Sequence, residues 1–118
     1  MADSLLELSR AVLAFRDERD WSQFHGLKHL IVSLCLEAGE LLELAQWKSD
    51  AEVDALPLSQ EGREALSDEC ADVLAYLLLI AEKTQIDLAA ALRRKLTKNA
   101  LKYPVEKSLG RREKYSFL

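Results

Sequence analysis

Residues 34–47 read LCLEAGELLELAQW, an apolar run interrupted by Glu37, Glu40 and Glu43 at intervals of three. At about 100° per residue, positions three apart are neighbours on one helix face. The three carboxylates therefore form a ridge, yet Val32, Leu36, Leu44 and Trp47 crowd the same side. A second stretch repeats the pattern. In ECADVLAYLLLIA, residues 69–81, Glu69, Asp72 and Tyr76 stack one turn apart among Val73, Ala75, Leu79 and Ile80. Helices apolar on nearly every side belong in an interior, so both are expected to be central and largely buried. A chain this short has few elements to cover them. That predicts a homo-oligomer, either a dimer or a tetramer built as a dimer of dimers, which completes the core.

The chain has 118 residues, 49% hydrophobic and 31% charged, with four Gly and two Pro. This length fits one domain, and the composition fits an all-α protein. Four helices can be placed on the sequence. The first runs from about Asp3 to Glu18, with Asp3 or Ser4 as N-cap and Leu5, Leu8, Val12 and Phe15 on one face. The second runs from about Leu27 to Trp47. KSDAEVDALPLS breaks it, with acids, no periodicity and Pro57. Ser59 caps the third, which reaches about Lys83, and Asp87 caps the fourth. Pro104 disfavours helix at Tyr103 and ends the fourth there. The predicted organisation is a domain over 1–104 and a basic tail over 105–118, extended and docked at most through Tyr115 and Phe117.

A net charge of −4 without a basic stripe through the core argues against a nucleic-acid partner. From Arg93 to Lys114, by contrast, Glu106 and Glu113 are the only acids among many Lys and Arg. That region reads either as an ordinary solvated end or as a cationic cover for a small anion. No basic n-region precedes an apolar core at the start, and VLAYLLLIA (73–81) is too short to span a bilayer. A cytoplasmic protein without a membrane partner is expected. Cys35 and Cys70 sit in apolar helical patterns without a CxxC, as reduced core residues would.

Buried carboxylates are costly unless paired or bound to metal. The residues next to these acids are mostly aliphatic, so a hard divalent cation answers the charge better than lysine does. All-oxygen donors suit Mg2+, with Mn2+ as a second fit, and do not suit zinc. His25 and His29 lie well upstream and no Glu-x-x-His occurs, which excludes a di-iron carboxylate bundle. Magnesium held by carboxylates usually serves phosphate chemistry. The chain lacks a Gly-rich phosphate loop, so the phosphates need cationic side chains, and Lys95, Lys98, Asn99 and Lys102 have roughly helical spacing. Trp21 and Trp47 are candidates for stacking on a nucleobase or for packing in a core or interface. His25 reads as a base contact, a phosphate donor or a capping residue, and Glu43 as a support for the acids or a solvated side chain.

EAGELLELAQW followed by DECADVLAYLL gives ExxE, 28 intervening residues and ExxD. This resembles the MazG-like superfamily of all-α nucleoside triphosphate pyrophosphatases, and most of all its dCTP pyrophosphatase branch. FRDERDWSQFH (15–25), GELLELAQWK (39–48), KLTKNALKYP (95–104) and a tail ending near KYSFL are similar to that branch as well. The resemblance implies a four-helix MazG-like bundle completed by homo-oligomerisation. It implies magnesium on Glu37, Glu40, Glu69 and Asp72, with hydrolysis of a triphosphate to monophosphate and pyrophosphate. Trp21 and Trp47 would border the base with His25 and Tyr76 nearby, and Lys95, Asn99 and Tyr103 would hold phosphates. Lys102 departs from the pattern, since Arg often precedes the Tyr-Pro pair, and Lys lacks the bidentate fork. Glu40 is the expected proton acceptor, and dCTP or a modified dCTP the expected substrate, in a pool-cleansing role. The alternative is a non-enzymatic helical oligomerisation or nucleotide-binding module.

Overall fold

The computed structural model of the chain describes residues 4–117. Among them every regular element is helical: α1 (Leu5–Glu18), α2 (Leu27–Glu43), α3 (Asp50–Asp54), α4 (Gln60–Thr84), α5 (Leu88–Lys102) and α6 (Val105–Ser108). Single 3-10 turns lie at Ser22–Phe24, Leu56–Leu58 and Tyr115–Phe117. The described residues divide after Gln85 into two units, one carrying α1 to α4 and the other α5 and α6.

Three of the long helices start where a short polar side chain takes an orphan backbone N–H. Ser4 Oγ accepts from Glu7 at 3.1 Å, Ser59 Oγ from Gly62 at 3.0 Å, and Asp87 Oδ1 from Ala90 at 3.1 Å. Each such cap contributes about 1 kcal/mol. Asp3, the other expected cap of α1, lies outside the described residues. Gln85 ends α4 in the left-handed conformation (φ 58°), and its Nε2 donates to the Glu82 carbonyl at 2.7 Å.

The helix expected to reach Trp47 stops one turn sooner, at Glu43. Past it the Ala45 and Lys48 N–H groups bond tightly to the carbonyls of Leu42 and Ala45, while Lys48 Nζ caps the Leu44 carbonyl at 2.9 Å. Trp47 turns the chain at φ 66°, a conformation uncommon for a bulky residue. The segment 49–58 is not structureless either. A reciprocal capping box joins Ser49 and Glu52, at 3.2 Å and 3.1 Å, and starts α3. The tail corrects its expected extended form in the same way. Lys107 and Ser108 both donate to the Pro104 carbonyl at 3.0 Å, making the turn of α6.

Within the first unit α4 is the hub: α2, α1 and the Leu56–Leu58 turn all pack on it. Leu30, Leu78, Leu79, Ala81 and Ser33 are buried there. The expectation that the two acid-bearing helices are largely buried needs correcting for a single chain. Ile31, Val32, Leu36 and Leu42 of α2 and Leu74 and Leu77 of α4 are exposed, and so are Cys35 and Cys70, expected in the core. The reason is geometric: α2 packs chiefly on α4, and one neighbour covers only one stripe of a helix. No helix among the described residues is long and apolar enough to cross a membrane.

Gly62 marks where the Leu56–Leu58 turn meets α4, since a Cβ there would strike the Leu56 carbonyl oxygen and carbon. In an open helix Gly→Ala stabilises by about 1 kcal/mol. Here Gly62→Ala is expected to lower stability by roughly 1–3 kcal/mol, because overpacking against backbone outweighs propensity. Chemical denaturation of both proteins checks the sign.

Candidate functional site

The i, i+3 spacing places Glu37 and Glu40 on one turn of α2, and Glu69 and Asp72 on one turn of α4. Packing α2 on α4 brings the pairs together, so that one carboxylate oxygen from each of the four lies within 4.8 Å of the others. Glu37 and Glu69 are half-buried, and Glu40 and Asp72 are exposed at the rim. Burial raises the Glu37 carboxyl above its usual value, and a hydrogen bond to Glu40 and the charges of Glu40, Asp72 and Glu69 add to it. Burial also raises Glu69, followed by a hydrogen bond to Glu40 and the charges of Glu40, Asp72 and Asp68. Glu40 thus stands beside both. None of the ion pairs among the described residues involves these four acids. Glu69 Oε2 is buried without a hydrogen-bond partner.

A buried carboxylate oxygen without a partner, on one of four clustered carboxylates, fits a hard cation. The donor set is all oxygen, as magnesium and manganese prefer. Glu43, one turn further along α2, is exposed and lies outside the group.

Asp72 also lines an apolar cavity of about 170 Å³. Tyr76 stands one turn below Asp72 on α4, and Phe15, Trp21 and His25 contribute from α1 and the turn after it. Asp20 adopts φ 53°, which lets the chain reverse so that the Trp21 N–H donates to the Arg16 carbonyl at 3.1 Å. The Trp21 ring then meets Phe15 edge to face at 5.9 Å, and the Arg19 guanidinium lies 3.6 Å from the Phe15 centroid. Three of the residues expected at the base, Trp21, His25 and Tyr76, therefore share one cavity. Trp47 does not join them; it is 93% exposed beyond α2.

A model of the MazG-like family matches residues 32–118. The chain belongs to the MazG-like family. It is 42% identical over 115 residues to rat dCTP pyrophosphatase 1, covering 98% of this chain and 68% of the relative. The human protein of the same name is 38% identical over the same extent. A crystal structure of a pyrophosphatase from Archaeoglobus fulgidus superposes with a TM-score of 0.79 at 36% identity, covering 88% of this chain and 95% of that one.

The remaining residues expected at this MazG-like site lie in the second unit. Lys95 and Lys102 are exposed on α5, Asn99 is half-buried, and Tyr103 caps the helix. Tyr103 meets Tyr115 edge to face at 6.0 Å, and Lys102 Nζ lies 5.0 Å from the Tyr115 centroid. Tyr115 does dock, within its own unit. Sequence reasoning missed Phe15 and Arg16 as cavity residues. Phe15 was legible as part of an apolar face, but only the reversal at Asp20 sets it against Trp21.

A carboxyl with a raised folded pKa binds its proton more tightly folded than unfolded, so its ionisation opposes folding. For Glu37 and Glu69 that penalty is absent well below pH 4.5, their ordinary value, and complete above the raised one. Glu69→Gln is therefore expected to raise Tm at neutral pH without metal, and to lose that advantage below pH 4.5. Added magnesium should stabilise the wild type more than the variant at neutral pH. Scanning calorimetry at the two pH values checks both.

Proposed function

We propose that Glu37, Glu40, Glu69 and Asp72 hold magnesium, which manganese can replace, and that the preferred substrate is dCTP or a base-modified dCTP. The observation that carries this reading is the convergence of four carboxylate donors beside an apolar cavity. The chain is a nucleoside triphosphate pyrophosphohydrolase, as its dCTP pyrophosphatase relatives and pyrophosphatase neighbour indicate.

Asp72 joins the cluster to the cavity, so a base held among Phe15, Trp21 and Tyr76 leaves its phosphates at the carboxylates. A bound divalent cation supplies neutralising charge to the triphosphate and acidifies a water. Glu40, neighbour to both Glu37 and Glu69, accepts a proton from the attacking water. A bond forms from that water oxygen to the α-phosphorus, and the bond from the α-phosphorus to the bridging oxygen breaks. Pyrophosphate leaves. The family resemblance is what assigns phosphate binding to Lys95, Asn99, Lys102 and Tyr103, with Lys102 offering a point charge rather than a fork. Glu43 remains a solvated side chain.

The exposed Ile31, Val32, Leu36 and Leu42 form a surface more apolar than a lone soluble chain normally presents. A second copy of this chain covers it, in a dimer or a dimer of dimers. The setting is cytoplasmic pool cleansing, removing nucleotides before a polymerase uses them.

Incubation with magnesium and a panel of triphosphates should release pyrophosphate and the monophosphate, fastest from a cytosine deoxynucleotide. Orthophosphate release, or no turnover, contradicts the reading; the latter is what a non-enzymatic oligomerisation or nucleotide-binding module predicts. Glu40→Gln is expected to lower kcat by roughly 10²–10⁴-fold, measured as pyrophosphate release at saturating nucleotide. Sedimentation velocity should show an oligomer that Leu36→Glu shifts toward monomer; a monomeric wild type contradicts the proposed assembly.

A further inference from the structure

Arg16 and Glu82 make the one long link in the polar network of the described residues. Arg16 Nη1 donates to Glu82 Oε2 at 3.2 Å, joining α1 to α4 across 66 residues of sequence. Every other side-chain hydrogen bond among the described residues joins positions four apart or fewer. The remaining ion pairs are equally local. Apolar contact between two helices is non-directional and leaves their register loose. A charge-assisted hydrogen bond fixes it.

Arg16 is held through its backbone as well as its side chain. Its carbonyl accepts from the N–H groups of Arg19 at 3.2 Å and Trp21 at 3.1 Å, closing the reversal after α1. Gln23 Nε2 donates to the Asp20 carbonyl and carboxylate, both at 3.0 Å, and Arg19 Nη1 donates to the Phe15 carbonyl at 2.9 Å. Phe15 and Trp21 thus belong to a turn braced within itself. Among the described residues only the Arg16 side chain carries a hydrogen bond from that turn to α4. It is 15% exposed and that of Glu82 37%, so the pair is partly sheltered from salt screening.

The apolar cavity is built from both sides of this link. Phe15 and Trp21 reach it from the α1 side, and Asp72 and Tyr76 from α4. A base held by the first pair meets the acidic cluster correctly only if α1 and α4 keep a fixed register, and a misplacement of about 1 Å can cost about 10²-fold in rate. We propose that Arg16 and Glu82 are positioning residues, whose ion pair holds the aromatic wall of Phe15 and Trp21 in register with the carboxylates of α4. This rests on the nucleotide reading of the apolar cavity. Asp17, which accepts from Arg16 Nε at 2.8 Å, is its neighbour in sequence and sets no register between helices.

The test compares kcat/KM for dCTP with kcat/KM for deoxyribose triphosphate, which lacks the base, as a ratio within each protein. The ratio is internal, so loss of active protein in a variant does not affect it. Wild type should favour dCTP by about tenfold or more, from stacking of the base. Glu82→Met, which removes the acceptor, should bring the ratio within about threefold of unity. Glu82→Gln, which keeps a neutral acceptor, should fall between, and Asp17→Asn should stay within about twofold of wild type. Adding Glu82→Met to Arg16→Met should lower the ratio no further than Arg16→Met alone, because either change already breaks the link. The emission of Trp21, isolated by Trp47→Phe, reports the wall without substrate: Glu82→Met should raise its quenching by acrylamide, and Asp17→Asn should not. A Glu82→Met protein with wild-type ratio and quenching, or an Asp17→Asn protein as impaired as Glu82→Met, overturns the proposal. A wild-type ratio near unity would instead overturn the base reading of the cavity, and Trp21 quenching then decides the link by itself.

Discussion

Four carboxylates from two helices face one another across the contact between α2 and α4, and their mutual repulsion is the constraint on which the rest depends. Two ExxE-type pairs on solvated faces would cost little. Here burial raises the Glu37 and Glu69 carboxyls and Glu69 Oε2 has no protein partner, an arrangement consistent with a divalent cation. The helices that create the problem also solve it, because close packing on α4 holds the donors within 4.8 Å of each other. The same helix carries Asp72 and Tyr76 one turn apart and so ties the acidic cluster to the apolar cavity. Charge at one end and aromatic surface at the other match the two halves of a nucleotide.

The positions of the acids were legible in the sequence because helical periodicity is a local property. Glu37, Glu40, Glu69 and Asp72 needed only a 3.6-residue repeat and the expectation that two apolar helices pack together. The caps at Ser4, Ser59 and Asp87 were equally local. What escaped was set by single backbone conformations. Trp47 leaves the helix at φ 66° and Trp21 returns onto α1 because Asp20 takes φ 53°; neither angle has a periodic signature. The Ser49–Glu52 capping box was present as S-x-x-E, yet the absence of hydrophobic periodicity around it hid a five-residue helix.

Burial was the other misreading, and its cause is physical. Hydrophobic pattern reports that a face must be covered, not which chain covers it. Leu36 and Leu42 are open on a single chain, and Cys35 and Cys70 are exposed with them. The apolar surplus of α2 lies on the same helix as Glu37 and Glu40. One helix carries both, which links the expected assembly of copies to the geometry of the cluster. Arg16 shows a different limit. In FRDERDW it reads as one charge among several, and only its ion pair with Glu82, 66 residues away, gives it a place in a cavity wall.

The most direct test of the central claim is hydrolysis of dCTP by the magnesium-loaded protein in water enriched in oxygen-18, with the products resolved by mass spectrometry. Attack by water on the α-phosphorus predicts one labelled oxygen in the monophosphate and none in the pyrophosphate. Label in the pyrophosphate, or in released orthophosphate, would place the attack on another phosphorus and contradict the account.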